Sequence, residues 1–246
     1  QQQAKRMGFT GPVEKINENL YRWTSSSLPL LSLEIEVKSG NFHLFYDYLQ
    51  DPELPNNQNL PNGQQAVQEA KAFLKSLNLL SSDLNEGENE SEYLRLEGAN
   101  LMTANSVSEA QFIRVNLFRT DFEGLPVLPA NPQKAPVSFL FSGLSRSKKR
   151  ILEVNYNFSP VTKEIFGTYP LKPVTQAWKE LQEKKGFISN LGQNEGALII
   201  IRRAYLAYFD SPELQSYWQP IYVFEGDRNF KGYVTAIDPQ WQEQQE

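Results

Sequence analysis

Cysteine is absent from the 246 residues, which excludes disulfide frameworks, thiolate zinc sites, iron–sulfur clusters and cysteine nucleophiles. Histidine occurs once, at His43, so a single chain cannot assemble a multi-histidine metal centre. Long apolar runs are also missing. The longest, Ala197 to Ile201, is closed by Arg202 and Arg203 and falls short of the roughly 20 residues a spanning helix needs. Positive charge is in deficit, with 24 Lys and Arg against 29 Asp and Glu, which argues against a nucleic-acid partner. No glycine-rich phosphate loop follows any strand-like segment. What remains is ordinary globular composition, 40% hydrophobic and 22% charged, in a chain long enough to bury a core without staples.

Hydrophobic periodicity supplies the elements. Leu31 to Leu49 alternates apolar and polar residues around a Ser39-Gly40-Asn41 turn, the pattern of two paired strands. A Pro- and Asn-rich loop, Asp51 to Asn62, follows. Ala66, Val67, Ala70, Phe73, Leu74 and Leu77 then recur at helical spacing. Beyond an acidic gap, Tyr93–Leu96 and Ala110–Thr120 read as strands. The order then repeats. Val137–Leu144 and Arg150–Phe158 read as strands around a polar turn, and a helix is expected between Pro173 and Gly186. Ala197–Phe209, Tyr217–Glu225 and Phe230–Ile237 read as further strands. Val67-x-x-Ala70-x-x-x-Leu74 matches Val174-x-x-Ala177-x-x-x-Leu181 position for position, as either a duplication or two helices packed on sheets alike.

The expected class is therefore α+β, with two repeated units, each an antiparallel sheet with one helix packed across a face. The boundaries expected are an N-terminal extension over 1–30, a first unit over 31–124 and a Pro-rich connector over 125–136. A second unit over 137–238 and a polar tail over 239–246 complete the chain.

Within the second unit, Tyr169-Pro170-Leu171-Lys172-Pro173 running into Ala177-Trp178 and Leu181 resembles the helix entry of PepSY-like domains. Arg203–Phe209, Tyr217–Phe224 and Gly232–Asp238 are similar to the family's paired and closing strands. The layout as a whole resembles exported regulators of the YycH/YycI type, which modulate an envelope sensor kinase. The resemblance implies tandem PepSY-like units, an extracytoplasmic place at the cell surface, a protein partner in the cell envelope and no catalytic signature. The chain opens on Gln1 without an initiator Met, and a membrane anchor is expected upstream of it.

Candidate chemistry is sparse. His43 alternates onto the polar side of its strand and reads as a solvated or hydrogen-bonded residue. The acidic stretch from Asp83 to Glu92 lacks EF-hand spacing and reads as solvated. Glu34 and Glu36 sit side by side on one strand face, unlike two acids facing across a cleft. Ser25–Ser27 and Ser145 with Ser147 lack a nucleophile-elbow context. Arg146, Lys148, Lys149 and Arg150 form a basic cluster that either touches anionic polymer or caps a hairpin.

No catalytic, metal-binding or cofactor-binding residue is assigned. The candidate partner-binding residues are aromatic: Tyr205, Tyr208, Phe209, Tyr217, Trp218 and Tyr222. A sheet covered by one helix cannot hide rings on both of its faces. The expected function is a non-enzymatic extracytoplasmic protein-binding module that regulates or inhibits an envelope protein. The alternative is a structural subunit of a cell-surface assembly or adhesin, homo-oligomeric through its sheet edges.

Overall fold

The computed structural model describes residues 1–52, 54, 59–145, 147–161, 166–194 and 198–241. The chain begins with α1 (Gln2–Arg6), β1 (Val13–Lys15), β2 (Leu20–Thr24), β3 (Leu31–Glu36) and β4 (Phe42–Tyr46). It continues through α2 (Gly63–Ser76), α3 (Ser82–Glu86), β5 (Asn89–Glu97), β6 (Asn100–Thr103) and β7 (Phe112–Leu117). Next come β8 (Val127–Pro129), β9 (Val137–Ser142), β10 (Ile151–Tyr156) and α4 (Val174–Gln182). The last strands are β11 (Phe187–Asn190), β12 (Ile201–Asp210), β13 (Gln219–Gly226) and β14 (Lys231–Thr235).

The class is α+β, as the periodicity predicts. One sheet has the order β1-β2-β3-β4-β10-β9-β7-β5-β6, and the other the order β11-β14-β13-β12-β8. Among the described residues, all pairings are antiparallel except that of β8 with β12.

The first sheet is built by alternation. Leu33 and Ile35 of β3, and Phe42 and Leu44 of β4, point to one side and are buried with Val115, Phe139 and Val154. Over that side lies α2, whose start is fixed by a capping box. Gln65 N donates to Asn62 Oδ1 at 2.9 Å, and Asn62 N donates to Gln65 Oε1 at 3.1 Å. Its inward residues are Ala66, Val67, Ala70 and Leu74, and the two alanines let the helix axis approach the strands closely.

The division of the chain differs from the expected one. Its two units are Gln1–Arg119 with Ala135–Pro160, and Thr120–Lys134 with Val161–Glu246. The strands at 137–142 and 151–156 do not open a second unit. β10 pairs with β4 and β9 pairs with β7, so this hairpin fills the middle of the first sheet. The cause is packing: Phe139, Phe141, Val154 and Tyr156 bury their side chains in the same cluster as α2.

The segment 1–30 is not an appendage either. β1 and β2 extend the sheet, and Ala4, Phe9 and Trp23 are buried in its core. The connector 125–136 contains β8, an edge strand of the second sheet. The acidic stretch 83–92 becomes α3 and the start of β5 rather than a loop. The repeat is therefore one of local layout, with nine strands in one sheet and five in the other.

In the second unit, α4 follows Pro173, the N-cap, and stops at Gln182, where Lys184 takes a left-handed φ of 60°. Ala177 and Leu181 pack on Phe224 of β13 and Val234 of β14. The strand expected over 197–209 is β12, starting at Ile201, and Ala197 lies outside the described residues. Among the described residues, no helix is long and apolar enough to cross a membrane.

Candidate protein-docking surface

Cross-strand register sorts four of the six candidate aromatics onto opposite sides of the second sheet, and Tyr217 and Trp218 precede β13. Tyr208 and Tyr222 lie on the side of the second sheet that carries α4, because Tyr222 faces Val234, and Tyr208 faces Pro220 two residues along the same strand. Tyr205 and Phe209 lie on the other side, opposite Val223 and Gln219. The pleat prevents all six from forming one patch.

Most of these rings are held by the protein itself. Tyr208 and Trp218 meet Phe122, with ring centroids 5.6 Å and 5.4 Å from the Phe122 ring and near-perpendicular planes. The Trp218 indole N–H donates to Asp210 Oδ1 at 3.3 Å. Tyr222 donates its hydroxyl to Lys172 O at 2.8 Å, and Phe209 packs edge-on to Tyr233. Tyr217, 59% exposed, is the one member with most of its side chain in solvent. Tyr205 donates to Glu225 Oε1 at 2.7 Å, and burial together with that carboxylate pushes its phenol well above the ordinary range. Burial pulls the Glu225 carboxyl upward, but hydrogen bonds from Tyr205, Lys231 and Arg203 outweigh it and leave it below the usual value.

The side opposite α4 is closed as well. Ala207, Ile221, Val223 and Tyr233 are buried there with Leu128 packed against them. Ser189 of β11 donates to Ala130 O at 2.7 Å, so the chain leaving β8 at one edge reaches the strand at the opposite edge. The edges themselves are left. Phe187 and Ile188 of β11 are exposed, and alternation does not mark them because a four-residue strand is too short to show a period. The signal they do leave is an apolar pair directly after Gly186, four residues beyond the end of α4.

In the first unit, a polar row crosses the face away from α2. Register places Arg22, Glu34, His43, Asn155, Ser138 and Asn116 side by side on six successive strands. His43 Nε2 and Glu153 Oε1 are 3.1 Å apart, and Asn155 Nδ2 donates to the same oxygen at 2.8 Å. Burial raises the Glu153 carboxyl, but these bonds and the charges of His43 and Arg114 bring it below the ordinary value. His43 is thus hydrogen-bonded to a half-buried carboxylate, with its own side chain 40% exposed.

The remaining candidates are tied down. Arg22 Nε donates to Glu34 at 2.8 Å, and Ser39 donates to Glu36 at 2.6 Å. Ser25 Oγ accepts from Leu28 N at 3.2 Å in a local turn. In the basic cluster Lys149 pairs with Asp51 at 2.6 Å, Arg150 grips both oxygens of Glu69, and Lys148 donates to Ser27. Arg146 lies outside the described residues. An open groove of about 530 Å³ beside α2 is lined by Gln65, Gln68, Glu69, Ser145 and Arg150.

No protein-family model and no curated protein matches the chain. Among solved structures, it is similar to the Bacillus megaterium YpeB C-terminal domain, at 12% identity and a TM-score of 0.38. The similarity covers 95% of this chain and 89% of that one. At that level it transfers neither a fold nor a function.

Proposed function

We propose that the chain is a non-catalytic protein-binding module that acts through an exposed sheet edge. The observation that carries this reading is β11, an edge strand with two large apolar side chains in solvent. The carboxylates add to it: Glu34, Asp83, Glu69, Glu153, Glu180 and Glu225 each bond to a cation or to His43 instead of facing another acid across a cleft. The resemblance of Tyr169–Leu181 to PepSY-like domains supports an extracytoplasmic place, with a cell-envelope protein as the partner that is regulated or inhibited.

Two measurements on the intact chain test the reading. Light scattering across a concentration series is expected to give a monomer, whereas growth into defined higher oligomers would favour the structural-subunit alternative. A peptide, ester and glycan panel is expected to show no turnover. Turnover that disappears in Glu153→Gln or Glu225→Gln would overturn the non-catalytic reading.

A further inference from the structure

The two sheets have four edges among the described residues, β1 and β6 in one and β11 and β8 in the other. Natural edge strands are blunted by charge, proline, bulges or shortness, because their unpaired amides and carbonyls otherwise recruit another strand. β1 carries Glu14 and Lys15, and β8 ends on Pro129, which has no amide hydrogen. β6 exposes one large apolar side chain, Met102.

β11 differs from β1 and β8 in holding neither charge nor proline, and from the equally uncharged β6 in exposing two large apolar side chains instead of one. Its sequence is Phe187-Ile188-Ser189-Asn190, and Phe187 is 51% and Ile188 45% exposed. Phe187 faces Tyr233 and Ile188 faces Gly232 in register, so the two project to opposite sides of the sheet. A strand added outside β11 therefore meets apolar surface above and below its plane. The length of β11 and the register shift between Ile188 and Asn190 restrict the occupant to a short extended segment.

Charge decides between a second copy and a foreign segment. Lys184 precedes the strand, and Arg228 lies at its far end, where Gln193 N donates to Arg228 O at 3.2 Å and Arg228 Nη1 donates to Gln193 O at 3.3 Å. Neither forms an ion pair among the described residues, while the adjacent Lys185 is paired with Glu183. Antiparallel self-pairing of β11 would bring the Lys184 end of one copy to the Arg228 end of the other, like charge against like. An acidic segment reverses the sign at both ends. We infer that the outer edge of β11 adds a short extended peptide that is apolar or β-branched at its centre and acidic at both ends. This deepens the proposed function and rests on it.

The probe is a nine-residue peptide of alternating valine and threonine with two glutamates at each end, titrated calorimetrically into the intact chain. Binding is expected. It weakens at least about tenfold when the glutamates are replaced by lysines, and is lost when the central residue is proline. Ile188→Lys abolishes it. Lys184→Asn with Arg228→Asn weakens it about tenfold, and asparagine tolerates the left-handed backbone of both positions. Equal binding of the acidic and lysine-ended peptides, binding of the proline peptide, or undiminished binding to Ile188→Lys would overturn the assignment. So would a concentration-dependent dimer that Ile188→Lys dissolves, because the occupant would then be a second copy. Failure of the acidic peptide to bind removes β11 alone and leaves the module reading to other surfaces such as the polar row. Turnover removes the module reading itself.

Discussion

Lys172 is the sharpest energetic test of the second unit. Its side chain is 1% exposed, and its Nζ donates to Glu180 Oε2 at 2.5 Å from the start of α4, while Glu180 keeps 20% exposure. The backbone holds it there: Lys172 N donates to Ala236 O at 2.9 Å, and Lys172 O accepts from Tyr222 at 2.8 Å. Glu180→Gln preserves the shape and leaves a buried ammonium without its counter-charge. Removing one partner of a buried pair costs about 3–5 kcal/mol, and the water reaching Glu180 lowers the expectation to about 2–3 kcal/mol. Lys172→Met removes the charge itself and frees Glu180 to turn toward water, at a cost of about 1 kcal/mol or less. The double variant should match Lys172→Met, since the acid then has nothing to neutralise. Urea unfolding followed by tryptophan emission reads this unit, which contains Trp178, Trp218 and Trp241 of the four tryptophans. With a slope of about 2 kcal/mol per molar, Glu180→Gln moves the midpoint down by about 1–1.5 M. A Glu180→Gln midpoint unchanged from the parent, or a Lys172→Met midpoint below that of Glu180→Gln, would refute the reasoning.

Other outcomes follow from the same structure. A fragment of residues 1–124 lacks β9 and β10 between β4 and β7, so it should show no cooperative urea transition; a sharp two-state curve would contradict the interleaved fold. Gly87→Ala places a methyl group inside van der Waals contact of Phe118 O and 2.8 Å from Asp83 O, and should cost about 2–4 kcal/mol by chemical denaturation. The Glu153 carboxyl lies below its unfolded value, so the stability it adds is present above that value, near 4.3, and is lost as pH falls through the folded one. The stability gap between the parent chain and Glu153→Gln should therefore close below about pH 4 in pH-stepped urea titrations.

Local patterns were readable from sequence where one element decides its own fate. The α2 helix was readable because Ala66, Val67, Ala70 and Leu74 repeat at 3.6 residues, and β3 and β4 because one face is apolar and Gly40 turns between them. The side of His43 followed from the same alternation. The place of β10 was not readable, since its partner β4 lies about 110 residues earlier and any apolar strand satisfies the pattern. The aromatic cluster was legible as composition but not as a surface. Tyr205, Tyr222 and Trp218 spend their polar atoms on Glu225, Lys172 and Asp210, and those partners emerge only when the sheet is assembled. The β11 edge was missed for the opposite reason: its significance lies in what fails to pair with it.

Amide hydrogen exchange of the intact chain, with and without the glutamate-ended peptide, tests the central claim most directly. The account predicts slowed exchange confined to Phe187–Asn190 and the loop residues that flank it. Protection appearing instead over β4 and β10, or nowhere, would contradict it.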